Sequence, residues 1–173
     1  MDYRLFHAIN SLAGRFDGID DCFEIVANGI PFVMIGMLLV LWFRPGERDE
    51  RDRREWGCIA AVISATLALA INQLVSLGWS RPRPFVAHDA VLLISHHADG
   101  SFPSDHTTFA FAVGTSILLV SRRLGMLALL AAGAMAFARV YVGVHYVSDV
   151  VAGALIGTLS AIFVQQARPF IQP

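Results

Sequence analysis

Arg139, His145 and Asp149 lie in one stretch, ARVYVGVHYVSD, and Pro103-Ser104-Asp105-His106 stands upstream of it in a chain that otherwise reads as built for lipid. His145 and Asp149 are four residues apart, so on a helix they share a face, where a carboxylate can fix the tautomer and aim of an imidazole. A neutral, aimed histidine is a nucleophile or a base. Arg81, Arg83 and Arg139 add planar, permanently charged forks that match phosphate oxygens two at a time. Residues of these types at these spacings predict phosphoryl transfer on a substrate held in a membrane.

The rest of the chain must supply the frame. With 173 residues it has the length of one domain, taken here as 1–173, and 55% hydrophobic against 16% charged residues points to a bilayer as its solvent. A net charge of -1 gives no footing for nucleic acid. The N-terminus lacks a basic start followed by an apolar core and a small-residue cleavage site, so no removable signal peptide is expected. Cys22 and Cys58 fall near opposite membrane faces and are expected to be free thiols.

A spanning helix needs about 20 mostly apolar residues. Five stretches meet this, at roughly Glu24 to Phe43, Trp56 to Trp79, Phe102 to Ser121, Leu124 to Val144 and Val147 to Gln165. Residues 2–15 are too short to cross. There Leu5, Phe6, Ile9 and Leu12 form an apolar stripe opposite Arg4 and Asn10 or Ser11, the pattern of an interfacial amphipathic helix, with a soluble cap packed on the bundle as the alternative. The expected fold is therefore all-α, a polytopic membrane bundle of five spans plus that helix. Trp42, Trp56 and Trp79 fall at span ends, as interfacial belt residues do.

Arginines 44, 48, 51, 53 and 54, interleaved with acids, fill the first link between spans, and Arg122 and Arg123 fill the third. The positive-inside tendency makes both links cytoplasmic and the first a solvated charge run. Counting crossings then places Arg81 to Pro84, Pro103 to His106 and Arg139 to Asp149 on one face, the extracytoplasmic one.

Each group has a plain reading beside the chemical one. Prolines stiffen the segment that presents Arg81 and Arg83, which makes either an anion clamp or a pair of snorkelling interfacial arginines. Ser104 and Asp105 stand where a helix N-terminus offers backbone N–H groups to phosphate, and Ser104 is either the helix cap or a direct donor. Arg139, inside an apolar run, needs an anion: Asp149, or a bound phosphate if Asp149 serves His145. His7 and His88 read as surface residues. His96, His97 and Asp99 lack further ligands at helical spacing, so no metal site is expected. A serine hydrolase is not expected, since there is no G-x-S-x-G elbow and Ser104 precedes His106 too closely for a triad.

RPRPF at 81–85, SFPSDHTT at 101–108 and ARVYVGVHYVSD at 138–149 together resemble the three signature blocks of the type 2 phosphatidic acid phosphatase superfamily, and within it the bacitracin-resistance type of undecaprenyl diphosphate phosphatase. The resemblance implies a metal-independent phosphatase without cofactors. In it His145 corresponds to the nucleophile that forms phosphohistidine, Asp149 to its orienting carboxylate and His106 to the general acid. Arg83, Ser104, Arg139 and the backbone N–H of Asp105 correspond to the phosphate-binding positions. Two positions depart from the pattern: Ser76 stands where the family has a lysine, and Ala138 where it has a serine. Arg81 is expected to supply the missing positive charge. The expected partner is a polyprenyl diphosphate in a bacterial inner membrane. The alternatives are a broader lipid phosphatase (phosphatidate, phosphatidylglycerol phosphate or lipid A phosphates) and a non-catalytic lipid-phosphate translocator.

Overall fold

The computed structural model describes residues 1–167, and among them every regular element is a helix. In chain order these are α1 (Asp2–Asn10), α2 (Asp17–Phe43), α3 (Arg48–Gly78), α4 (Pro84–Ala87), α5 (Asp105–Val120), α6 (Arg122–Tyr141) and α7 (Val147–Gln166). Helices α2, α3, α6 and α7 are long and apolar enough to cross a bilayer, so the protein is a multi-pass membrane protein.

The third expected span, Phe102 to Ser121, forms a helix shorter than its apolar run. Pro103 disfavours helix at Phe102, and with Ser104 extended as the N-cap, α5 begins only at Asp105. Its 16 residues rise about 24 Å, less than the roughly 30 Å of hydrocarbon. That length suffices because α5 is the central helix, packed by α3, α6 and α7, with ten of its residues buried. Small residues let these helices close up. A Cβ on Gly153 would stand 2.8 Å from the Ser104 carbonyl oxygen, and one on Gly157 would stand 2.8 Å from the Ala112 nitrogen.

Two expectations about the charged link and the tryptophans change. The charge run is helical, extending α3 beyond the apolar core. Arg51 pairs with Glu55 at 2.7 Å and Arg54 with Glu50 at 3.4 Å, both four residues apart, as a solvated helix allows. Arg54 also donates to the Arg44 carbonyl at 2.8 Å, closing the end of α2. Trp42 and Trp79 are exposed, whereas Trp56 is buried and its indole N–H donates to Gln165 at 3.1 Å, a core tie from α3 to α7. Cys22 and Cys58 are free thiols.

Helix α1 packs on the ends of α6 and α7 rather than standing apart. Its stripe divides: Phe6 is fully buried against Tyr146, with ring centroids 5.6 Å apart, while Leu5 and Leu12 remain exposed. Asn10, expected on the polar side, is buried because its amide bridges the Val91 and Tyr141 carbonyls at 2.8 Å each. Gly143, at φ 91°, makes the turn from α6 to α7 where the Val91 carbonyl presses against the backbone, a conformation that favours glycine.

Candidate active site

Helix alternation carries the end of α3, the start of α5 and the α6–α7 turn to one end of the bundle. There Arg83, His106, Arg139 and His145 line a cavity of about 370 Å³ together with Gln73, Ser76, His96, Asp99 and Asp105. The 88–104 connection, long for a structureless loop and so the kind of segment that carries function, lies over this cavity and contributes His96 and Asp99.

His145 is buried, and its two ring nitrogens have different partners. Nδ1 lies 2.9 Å from the Ser101 carbonyl oxygen, an acceptor only, so Nδ1 carries the proton. Nε2 is therefore the lone-pair nitrogen, and Arg83 Nη1 donates to it at 3.3 Å. Burial pushes the His145 imidazole down to about 4, and the charges of Arg139 and Arg83 add to this against the pull of Asp149. The ring is neutral near pH 7.

Asp149 does not grip the ring directly. Its Oδ2 is 3.7 Å from His145 Nδ1, beyond hydrogen-bonding range, so it acts there as a charge. The same oxygen accepts the Tyr146 backbone N–H at 2.8 Å, capping α7, and accepts the hydroxyl of Ser101. The carboxylate thus holds Ser101, and Ser101 holds the imidazole. Ser101 escaped the sequence reading because a backbone carbonyl leaves no trace in residue type.

Arg139 is 1% exposed, and its Nε and Nη2 have no hydrogen-bond partner among the described residues. Asp149 is not its counterion. A buried guanidinium with unused donors beside a cavity is a site for an anion. Arg83 is more tied down: Nε donates to Asp99 at 2.8 Å and Nη1 to the Val144 carbonyl at 3.0 Å. Burial would raise the Asp99 carboxyl, but Arg83 holds it below its usual range.

Ser104 occupies the N-cap position of α5, yet its hydroxyl makes no capping bond. It is fully buried and accepts from Thr107 at 3.2 Å, leaving its own proton to donate. Asp105 lines the cavity, held from α3 by the Asn72 amide at 2.8 Å. Ser76, at the position of the family's lysine, also lines it and donates to the Phe102 carbonyl at 3.2 Å.

Arg81 is not brought into the cavity. Its guanidinium is taken up by Asp149 at 2.8 Å, Ser148 at 2.7 Å and Asp2 at 2.7 Å, and it stacks 3.7 Å above the Tyr146 ring. The expectation that it adds charge to the phosphate cradle does not match this geometry. His96 does line the cavity, with its ring centroid 6.4 Å from that of His145, whereas His97 is exposed. Burial and the nearby Arg83 lower the His96 imidazole below its ordinary range.

A helical membrane bundle that gathers histidines and buried arginines around one polar cavity defines a class of phosphate-handling membrane protein. Residues 56–172 match the model of the PAP2 superfamily, and the chain belongs to that family. It is 33% identical to the undecaprenyl-diphosphatase BcrC of Bacillus subtilis over 99% of this chain and 88% of that one. It is also 33% identical to the putative undecaprenyl-diphosphatase YbjG of Escherichia coli, over 96% and 84%. The fold is similar to the crystal structure of Aquifex aeolicus LpxE, with a TM-score of 0.76 and 26% identity over 95% of this chain and 94% of that chain.

Proposed function

We propose that this lipid phosphatase hydrolyses undecaprenyl diphosphate, or a polyprenyl diphosphate of the same kind, to the monophosphate and phosphate through a phosphohistidine at His145. The observation that carries the reading is the pairing, at one cavity, of an Arg139 with unused buried donors and a His145 whose tautomer leaves Nε2 as the lone pair. The two relatives named for undecaprenyl diphosphate support the substrate.

The terminal phosphoryl group enters the cavity and draws Arg83 off Nε2, so the anion that is to be attacked also unmasks the nucleophile. Arg83 and Arg139 neutralise the charge spread over its oxygens, with the α5 N-terminus and Ser104 as further donors. Nε2 bonds to phosphorus as the bond to the bridging oxygen breaks, and His106 gives that oxygen a proton, releasing the polyprenyl monophosphate. The neutral His106 then takes a proton from water, whose oxygen attacks phosphorus and displaces His145. Because arginines supply the positive charge, the reaction requires no metal, and activity is expected to survive exhaustive chelation.

The tail has a route out of the cavity. Asp105 and His106 also border an apolar cleft with Pro31, Leu69 and Phe109, and Leu69 and Phe109 in turn border a larger one between α2 and α3. With the arginine-rich link inside, the site faces the extracytoplasmic side of a bacterial cell membrane. Phosphate release from a panel of lipid phosphates and diphosphates tests the substrate, with polyprenyl diphosphate expected to be fastest. Equal rates on phosphatidate would instead favour a broad lipid phosphatase, and wild-type phosphate release by His145→Ala would sink the mechanism.

A further inference from the structure

We infer that helix α1 is part of the catalytic apparatus, with Asp2 acting through Arg81 to position the Asp149 and Ser101 groups that hold the His145 ring. This rests on the reading that His145 is the nucleophile. The Arg81 guanidinium is fixed on three sides: one Nη reaches both Ser148 and Asp149, the other reaches Asp2, and one face lies on Tyr146. What it holds is the fully buried Asp149 carboxylate, for which Arg81 is the only arginine within 4 Å among the described residues. A buried carboxylate needs a paired cation to stay charged and in place. Asp149 in turn fixes the Ser101 hydroxyl, and the Ser101 carbonyl takes the His145 Nδ1 proton.

Asp2 closes the far end of this chain. It holds one edge of Arg81 and also accepts from Ser148, the backbone N–H at 3.1 Å and the hydroxyl at 2.5 Å, so it spans the Arg81 segment and the first turn of α7. Burial would raise its carboxyl, but the hydrogen bonds from Ser148 and Arg81 outweigh that and hold it below the ordinary carboxylate range. α1 is seated along its length, by Phe6 on Tyr146 and by Asn10, which receives the Val91 N–H at 2.9 Å. A displacement of α1 is thereby transmitted to the imidazole through bonded contacts. Without Asp2, Arg81 is free to swing, and the attack geometry loosens although no phosphate ligand is lost.

The test uses the full chain in detergent with Asp2→Asn, Asp2→Glu, Arg81→Gln and Arg81→Lys, reading kcat, KM, the affinity for inorganic phosphate, thermal midpoint and the 15N signals of the His145 ring. Asp2→Asn and Arg81→Gln are expected to lower kcat by about tenfold to a hundredfold, the scale of a small misplacement of a reacting group, with KM and the affinity for inorganic phosphate nearly unchanged. Asp2→Glu and Arg81→Lys should recover part of the loss. In Arg81→Gln the ring should also protonate at higher pH, because Asp149 no longer shares its charge with a cation, so the acid limb of kcat moves up. Three results overturn the inference: wild-type kcat in Asp2→Asn, a loss confined to KM and the affinity for inorganic phosphate in Arg81→Gln, or losses that only track the folded fraction. If the wild-type protein releases no phosphate from any lipid, the proposed function fails by itself. The ring signals still decide the positioning: a shifted titration in Arg81→Gln upholds it, and unchanged spectra refute it.

Discussion

Replacing Arg139 with methionine separates what this side chain costs the fold from what it contributes to the reaction. Its Nε and Nη2 are buried without partners, and each such group costs about 1–3 kcal/mol. Methionine keeps much of the apolar stem and removes both. Against this gain, a cation in the last turn of α6 interacts favourably with the helix carboxyl end by about 0.3–1 kcal/mol. The substrate-free protein should therefore become more stable by roughly 1–6 kcal/mol, read as a higher thermal midpoint in detergent. The reaction should suffer in the opposite sense. Losing a preorganised donor to the transition-state oxygens costs about 10²–10³-fold, so kcat/KM for phosphate release should fall by that factor. Saturating vanadate should stabilise the wild type by about 2.7 kcal/mol at a hundred times its Kd and leave Arg139→Met unmoved. A variant that is less stable than wild type yet still stabilised by vanadate would show that Arg139 serves the fold, and the argument from its unused donors would be wrong.

Other expectations follow from the same geometry. His106→Gln should slow turnover by about 10²–10⁴-fold, and with an aryl phosphate, whose leaving group needs no acid, it should release about one equivalent of phenol in a burst and then stall. Steady wild-type turnover in that variant would remove His106 from both proton steps. Because His145 titrates near 4 rather than 6.5, kcat/KM should hold as pH falls through 6 and drop only toward about 4, as the ring protonates. The same shift makes the fold lose stability over that interval, since the unfolded chain takes up a proton that the buried ring refuses. An acid limb at 6.5 would contradict the burial argument. Gly157→Ala should destabilise by about 1–3 kcal/mol, because the new methyl meets the Thr108 carbonyl and the Ala112 nitrogen of α5. Gly133→Ala, which meets nothing within 4 Å, should be neutral or slightly stabilising in the same thermal assay.

Much of this architecture can be read from residue order alone, because hydropathy sets the spans and alternation sets the ends. Arg83, His106, Arg139 and His145 had to emerge at one end of a bundle whatever the packing, and they do line one cavity. Side-chain partners were not legible. Arg81 next to Arg83 looked like half of a clamp, and only the fold brings Asp2, 79 residues away, against it. Four-residue spacing suggested that His145 and Asp149 share a helix face, but His145 precedes Tyr146, the N-cap of α7, so the two come near each other through the turn and the Ser101 carbonyl reaches the ring first. The length of α5 differs from the expected span because the apolar run includes non-helical residues before Asp105, and hydropathy does not distinguish lipid-facing from protein-facing apolar surface. The same limit hid Trp56, whose burial depends on Gln165 across the bundle. Asn10 looks solvent-facing by helical phase, yet its amide is held inward by donating to the carbonyls of Val91 and Tyr141.

The central claim is covalent. Protein mixed with polyprenyl diphosphate labelled in its terminal phosphate, quenched in alkali where a phosphohistidine survives, and digested for mass spectrometry should carry the label on His145. The label should be lost on brief acid treatment and absent in His145→Ala. Label on another residue, or turnover in which no protein-bound phosphate forms at any quench time, would contradict the mechanism.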